Sequence, residues 1–545
     1  MIAMRWMMYT LCLLFSLPLL TQTDFSSQLP IMVIDTEGGE IEADDKIMAR
    51  LGIVDNGVGN LNSPDDDFND YDGWIGIEFR GSSSLSFPKK GYSLETREAD
   101  GEDEDASLLG FPTEEDWVLH GPYTDKSLLR NAMLYSLAGE MMAWAPRVRM
   151  VELILNNDYQ GVYLFTERIK RDEERVDIAK LREEEIDGDD LTGGYILKFD
   201  KLTGESDEVE SFFFSNYAGD TPAQQDIRIL YDYPAPEELV PEQRTYIREW
   251  VRDFEDRLMG DNWLDEEDGY AHLIDRQSIV DMIILNEISR NVDGFRLSTY
   301  FHKQKDSDGG QLVMGPVWDF NFAFGNANYC RGFDVTGWAM DFPYDCPEDP
   351  FQTPRWWSRF LKDREVAELL NERYFELREG ILGDAAIEGR IDDFLDQMGE
   401  APARNFERWP ILGEYNWPNS FVGDTYEEEV GYLRQWILDR LAWIDNNIGD
   451  YLTETPTYPR TEDKALIFPN PSVNGELLVS FPESFPRSGM TVRILDPLGR
   501  ELVRQQISFD QPFAQMSPNL SSGVYYVSVS DRHGDILQSL LWTRR

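Results

Sequence analysis

All of the net charge in this chain lies upstream of one short stretch near its end. Asp and Glu supply 102 of the 545 residues and Lys and Arg only 50, a formal net charge of −52 at pH 7. From Asp463 to Arg545, however, eight acidic residues meet eight basic ones. Residues 1–462 therefore carry the whole excess, and the Pro/Thr-rich run from Tyr451 to Pro459 marks the change. Two units built to different rules share one chain. The acidic body has no cluster of cations to meet a phosphate backbone, which excludes nucleic acid as an expected partner. Twelve lysines against 38 arginines, among so many carboxylates, suit a salty medium that screens self-repulsion.

At roughly 150 residues per domain the length predicts three or four domains, or two large ones with an appendage. Hydrophobic residues at 41% and aromatic ones at 13% are enough to build a core. Arg5 precedes an apolar run from Trp6 to Leu20, and a polar start follows at Asp24, so residues 1–23 read as a signal peptide. Fifteen residues are short for a bilayer. No later stretch reaches eighteen consecutive apolar residues, so no transmembrane segment is expected after signal removal. Cys12 falls in the leader, leaving Cys330 and Cys346, sixteen positions apart, as a disulfide or as two thiols. Four scattered histidines and the absence of C-x-x-C or H-E-x-x-H argue against zinc.

The body opens with strand patterns at Trp74–Arg80 and Tyr92–Thr96, and a hairpin at Met150–Leu155 and Gly161–Thr166 turning on Asn156-Asn157-Asp158. Between them, apolar residues at 129, 133, 137 and 141 predict one helix over 125–142, capped by Thr124 or Asp125. Downstream the period is helical at Glu237–Leu258, Arg276–Arg290, Asp363–Ile381 and Glu427–Ile448. The acidic runs Glu98–Asp105 and Glu183–Asp190 read as solvated loops. In the neutral tail, Glu476–Ser480, Thr491–Leu495, Leu502–Ile507 and Val524–Val529 alternate as short strands, with turns at Asn474-Gly475 and Gly499.

The stretch most informative about chemistry runs from Asn291 to Gly325. Asp293 precedes a strand-like run, an octet of polar and glycine residues makes a turn, and Asp319 follows the second run. An antiparallel hairpin starts and finishes at the same end, so this spacing brings two carboxylates near one another. Phosphoryl transfer needs such a pair: one carboxylate orients the attacking hydroxyl and another holds Mg²⁺ on the nucleotide phosphates. Aspartates beside hairpins also cap turns or form ion pairs, and a glycosidase uses two carboxylates as well.

Several ordered motifs lie along the body: Phe79-Arg80-Gly81-Ser82-Ser83-Ser84 with Pro88-Lys89-Lys90-Gly91-Tyr92, Asp125-Lys126-Ser127-Leu128-Leu129-Arg130-Asn131, Asn157 to Leu164 with Glu167, Gly193-Gly194-Tyr195-Ile196-Leu197, and Gly315-Pro316-Val317-Trp318-Asp319-Phe320. Together they resemble the CotH kinase family, the spore-coat protein H type of atypical kinase. Phe468-Pro469-Asn470-Pro471, Val492 to Arg500 and Leu520 to Val527 resemble the type IX secretion C-terminal sorting domain of Bacteroidetes. The resemblance implies an α+β chain. A bilobal atypical protein-kinase-like domain (24–450) is followed, after a linker (451–462), by a small all-β immunoglobulin-like sandwich (463–545). It also implies ATP as phosphate donor, Mg²⁺ or Mn²⁺ as cofactor, a protein substrate with Ser or Thr hydroxyls, the type IX machinery as partner, and passage through the periplasm to the surface or medium.

By that resemblance Asp293 is the catalytic carboxylate, while Asp319, with Asn321, is the metal position. If Lys90 to Glu95 is a strand, Lys90, Tyr92 and Leu94 share its apolar face and Lys89 points outward. Lys90 is then the phosphate lysine, or else a surface lysine laid along apolar neighbours. Arg80 is a second phosphate contact or a structural ion pair. Glu140 pairs with Lys90 or faces solvent, and the backbone around Glu167 stands where a kinase hinge meets adenine. Arg355-Trp356-Trp357 reads as core packing or a substrate platform. Two departures weaken the metal site: Ser298 stands where an ordinary kinase has Asn, and Asn321 where the family often has Asp. A catalytically inactive surface protein for binding or assembly is the alternative they support.

Overall fold

The computed structural model describes residues 25–43, 45–202, 210–219 and 225–449, and most strand residues between 466 and 544. The leader, Cys12, the linker and the Asn474-Gly475 turn lie outside the described residues. Contacts divide the chain into two compact units. One holds residues up to Asp177 with Asp319–Phe322 and Asp384–Gln435; the other holds Ile178–Trp318, Ala323–Gly383 and Trp436–Arg545.

Seven strands of the first unit close into a barrel: β1 (Ile31–Asp35), β2 (Ile47–Val54), β3 (Tyr71–Arg80), β4 (Gly91–Arg97), β5 (Asp116–His120), β6 (Val148–Leu155) and β7 (Asp158–Glu167). Their order is β1-β2-β3-β4-β5-β7-β6. Neighbours run antiparallel except β1 and β6, which pair in parallel from Ile31 opposite Glu152 to Ile34 opposite Leu155 and shut the ring. Alternation sends Leu51, Ile53, Ile75, Ile77 and Leu94 inward onto Trp117 and Phe165, whose rings stack 5.2 Å apart. Each such aliphatic side chain contributes roughly 1.5–3 kcal/mol by leaving water. The expected β6–β7 hairpin turns on Asn156 and Asn157, at φ 51° and 62°, a left-handed pair that asparagine tolerates. Helix α1 (Arg130–Ala138) is shorter than its apolar stripe suggested. Asp125 accepts from the amides of Ser127 (3.2 Å) and Arg130 (2.8 Å), and with Leu128 at φ 64° this makes a tight turn where a first helical turn was expected.

In the second unit β8 (Tyr195–Phe199), β9 (Phe212–Phe214), β10 (Arg228–Tyr233), β11 (Thr299–Lys303) and β12 (Leu312–Met314) form an antiparallel sheet in the order β12-β11-β8-β10-β9. The hairpin expected around residues 303–310 is present, with Phe301 opposite Met314 and Lys303 opposite Leu312. Helices α2 (Pro241–Met259), α3 (Arg276–Ser289), α4 (Phe342–Asp345), α5 (Arg355–Phe360) and α6 (Arg364–Glu379) accompany it. α3 is the central one: Asp275 caps it by accepting from Gln277 and Ser278, and every residue from Ser278 to Ser289 is buried. Trp356 and Trp357 are core residues, with their indole N–H groups bonded to Glu255 (2.9 Å) and to the Phe295 carbonyl (3.0 Å). Later residues supply α7 (Asp384–Met398) and α8 (Ala401–Arg408) to the first unit, and α9 (Tyr426–Asn447) is shared by residue between the two.

The tail is all-β. β13 (Leu466–Phe468), β14 (Leu477–Ser480) and β17 (Phe513–Met516) make one sheet; β15 (Thr491–Leu495), β16 (Glu501–Gln506), β18 (Gly523–Ser530) and β19 (Ile536–Arg544) make another. Val479 from the first sheet and Val492, Val527 and Trp542 from the second share one apolar core. Cys330 and Cys346 are bonded, with Cα atoms 5.4 Å apart, which decides between the two states left open by the sequence. Closing a loop of this length constrains the unfolded chain, so Cys346→Ser should lower the guanidinium unfolding free energy of the second unit by about 3 kcal/mol under non-reducing conditions. Unchanged denaturation would show that packing alone holds the loop.

Candidate functional site

The end of α3 sets up the segment that carries Asp293. The helix stops at Arg290, in the left-handed region at φ 43°. A turn follows in which the Asp293 carbonyl accepts from the Leu297 amide at 2.9 Å, and β11 begins six residues after Asp293. Gly294 has no room for a side chain: a Cβ there would sit 2.3 Å from Asn286 Oδ1. The Asp293 carboxylate accepts from Arg296 at 3.0 Å. Arg296, itself 2% exposed, is held by the Val292 carbonyl (2.9 Å), Asp349 (3.1 Å) and the Phe351 carbonyl (3.0 Å), and its guanidinium lies 3.9 Å over the Phe342 ring. Ser298 donates to Asp200 at 3.4 Å, and burial pushes the Asp200 carboxyl above its ordinary range despite Lys198 nearby. A second carboxylate thus stands beside Ser298.

The other site residues belong to the first unit. Asp319 is partly exposed and left-handed at φ 60°; its amide donates to the Tyr135 hydroxyl at 2.9 Å, and the next amide, of Phe320, donates to Asn131 Oδ1 at 2.8 Å. Asn321, also partly exposed, follows. Arg80 ends β3 opposite Gly91.

Lys89 and Lys90 differ from the expected alternation, because β4 begins only at Gly91. It is Lys89 that is buried, donating to the Val162 carbonyl (2.5 Å) and Asn405 Oδ1 (2.7 Å) beneath the Tyr163 ring, and burial drives its ammonium pKa far down. Gly161 belongs to the same arrangement, since a Cβ there would meet Asn405 Oδ1 at 2.4 Å. Lys90 is half-buried and donates to the Leu85 carbonyl. Glu140, beyond the end of α1, pairs with Arg390 and not with Lys90.

Glu167 is fully buried, accepting from the Arg147 amide (2.8 Å) and guanidinium (2.6 Å); burial raises its pKa and those partners oppose the rise. Nearby, Glu114, Glu115 and Asp116 offer oxygens within 4.8 Å of one another, but Lys170 bridges all three.

Residues 77–444 match the CotH kinase protein family, and residues 466–542 match the secretion system C-terminal sorting domain. The chain belongs to the CotH kinase family. A comparison with curated proteins finds no match. The CotH match runs from β3 into α9 and takes in Arg80, Lys90, Glu167, Asp293, Asp319 and Asn321. The sorting domain directs this CotH-family chain to the cell surface or the medium through the type IX machinery. Among the described residues no helix is long and apolar enough to cross a membrane.

Spacing pointed to the two aspartates of this CotH chain but not to Arg296, Tyr135 or Asn131, whose partners only the folded chain reveals. For the lysines the expectation is clear-cut. Lys89→Met takes the buried ammonium donor from the Val162 carbonyl and from Asn405 Oδ1, which keeps only the Val162 amide at 3.1 Å, and should cost about 1–3 kcal/mol in urea melts, whereas Lys90→Met should change stability little. An equal loss from both would contradict the assignment.

A pH effect arises at the end of α3. Glu287 accepts from the amides of Ala339 (2.7 Å) and Met340 (3.0 Å) and from Arg440 (3.0 Å). Burial, then Glu287 and Asp345, push the adjacent Asp341 carboxyl from 3.8 up to about 7. Because the folded state holds this proton more tightly, the group's contribution is complete below about pH 4 and is lost as pH rises through 7. Asp341→Asn should therefore gain about 2 kcal/mol over wild type between pH 5 and pH 8. Parallel stability curves would refute that.

Proposed function

We propose that this chain is an exported phosphotransferase that moves a phosphoryl group from a magnesium nucleotide, with ATP as the donor, to Ser or Thr hydroxyls of a protein. The observation that carries the reading is the β11–β12 hairpin, with one aspartate in the turn before it and another just after it, inside a CotH family match. In this reading Asp293 orients the attacking hydroxyl and accepts its proton, with the Arg296 guanidinium offsetting charge on the carboxylate. Asp319 and Asn321 would hold Mg²⁺ or Mn²⁺: a carboxylate and an amide carbonyl are hard oxygen donors suited to such ions. Bound there, the ion supplies charge neutralisation along the nucleotide phosphates. Lys90 and Arg80 steady those phosphates, and the backbone around Glu167, whose side chain is occupied by Arg147, meets the base. The same reading carries a bilobal kinase-like body over 24–450, a signal peptide at 1–23, a linker at 451–462 and an immunoglobulin-like tail at 463–545.

A second reading, an inactive kinase-like surface protein, is favoured by Ser298 and Asn321, each of which takes charge or denticity from a cation site. Incubation with ³²P-ATP and Mg²⁺ or Mn²⁺ should label a generic protein substrate, and Asp319→Ala and Asp293→Asn should each reduce incorporation at least a hundredfold, the scale of a lost charge-stabilising or base contact. No labelling together with no nucleotide-induced rise in melting temperature would leave the surface-protein reading in its place.

A further inference from the structure

We propose that Tyr135 and Asn131 are positioning residues that fix the metal-holding geometry of Asp319 by gripping the backbone amides at 319 and 320; the inference rests on the phosphotransferase reading. The two side chains stand four residues apart on α1, hence on one face of it. Tyr135 accepts from the Asp319 amide at 2.9 Å and Asn131 from the Phe320 amide at 2.8 Å, so two successive N–H groups are caught by one helix. Asp319 needs such a hold. Its φ of 60° lies in the left-handed region, which an L-residue adopts against a steric penalty and which Asp leaves readily unless its surroundings prescribe it. Rotation about φ would carry the carboxylate away with the backbone, and it would strand two amide donors.

The helix that grips is itself fixed. Arg130, at its first position, donates to Asp125 at 2.6 Å and to Ser127 at 3.2 Å, and the Asp125 carboxylate accepts from the Arg130 amide. The Ser127 carbonyl accepts from Tyr426 at 3.0 Å, and Asn419 donates to the Thr124 carbonyl at 2.7 Å. Tyr135 and Asn131 are 3% and 6% exposed, so neither moves independently of this framework. The Asp125–Asn131 motif thereby acquires a mechanical role, in which its last residue and the tyrosine one turn later transmit a rigid register to the loop that carries Asp319. With Asn321 neutral, Asp319 supplies the formal negative charge of the proposed pair, and its placement matters correspondingly more.

Tyr135→Phe deletes a single oxygen and keeps the buried ring, and Asn131→Leu deletes the other acceptor at similar volume. In the full-length protein, titration with Mn²⁺ alone, read by electron paramagnetic resonance, should show about tenfold weaker binding in each variant than in wild type, the scale of one lost hydrogen bond to an ordered amide. Melting temperatures should stay within a few degrees, and the amides of Asp319 and Phe320 should exchange with deuterium faster. In the ³²P assay the Mn²⁺ concentration at half-maximal rate should rise by a similar factor while the protein-substrate KM stays constant. Wild-type Mn²⁺ affinity in both variants overturns the positioning role and leaves the phosphotransferase reading standing. Failure of wild type itself to bind Mn²⁺ removes that reading and this inference with it.

Discussion

A carboxylate taken out of water must be paired, hydrogen-bonded or protonated, and where this chain pairs one the cation is usually arginine. Arg130 meets Asp125, Arg404 meets Glu152, Arg440 meets Glu287 and Arg296 meets Asp293, each as a guanidinium paired with a largely buried acid. Such pairs add little net stability over apolar packing, but losing one partner strands a buried charge, so they act as registers more than as glue. Guanidinium fits this role because it stays charged and its planar fork can satisfy backbone carbonyls at the same time, as Arg440 does with Glu287, Val335 and Gly337. The excess of arginine over lysine seen in the composition is thus partly an interior property.

Local chemistry made much of the fold legible. The helical period located α2, α3, α6 and α9 to within a few residues, and the paired asparagines announced the β6–β7 turn. What stayed hidden was set by distant partners. Barrel closure depends on β1 lying parallel to β6, more than a hundred positions away, and neither strand's pattern names the other. α1 lost its first turn because Asp125 satisfies backbone donors in a tighter turn, an outcome the apolar stripe cannot register. Lys89 is buried although it was expected to point outward, because β4 starts only at Gly91 and both lysines lie before it, where strand alternation does not apply and the Val162 carbonyl and Asn405 set the direction instead.

The site divides in the same way. Asp293 and Asp319 could be singled out because a hairpin ties their positions to local spacing. Arg296 is only three residues from Asp293, yet its meaning comes from Asp349, Phe351 and Phe342. Trp357, read from the sequence as core packing or a substrate platform, is buried packing, and it also bonds the Phe295 carbonyl and so stiffens the turn that bears the aspartate. Tyr135 and Asn131 lie more than 180 residues from the amides they hold.

The departures at Ser298 and Asn321 acquire a physical scale from these surroundings. Exchanging a carboxylate for a carboxamide removes a full charge from a cation site but keeps an oxygen donor, so affinity falls while the preference for hard ions persists. In the second unit the charge of Asp293 is already offset by Arg296, and Asp200 stands 3.4 Å from the Ser298 hydroxyl with its carboxyl made easier to protonate by burial. On the phosphotransferase reading, a cation site with so little charge to spare would depend on geometry: a ligand already held in one orientation gives up less entropy when the ion arrives than a loose one does. The body's net negative charge works in the same direction, repelling a bare polyphosphate more than one already neutralised by a divalent ion, and less so as salt shortens the reach of the field. Pinned amides around a single aspartate are what such a site would need in order to work with fewer charges.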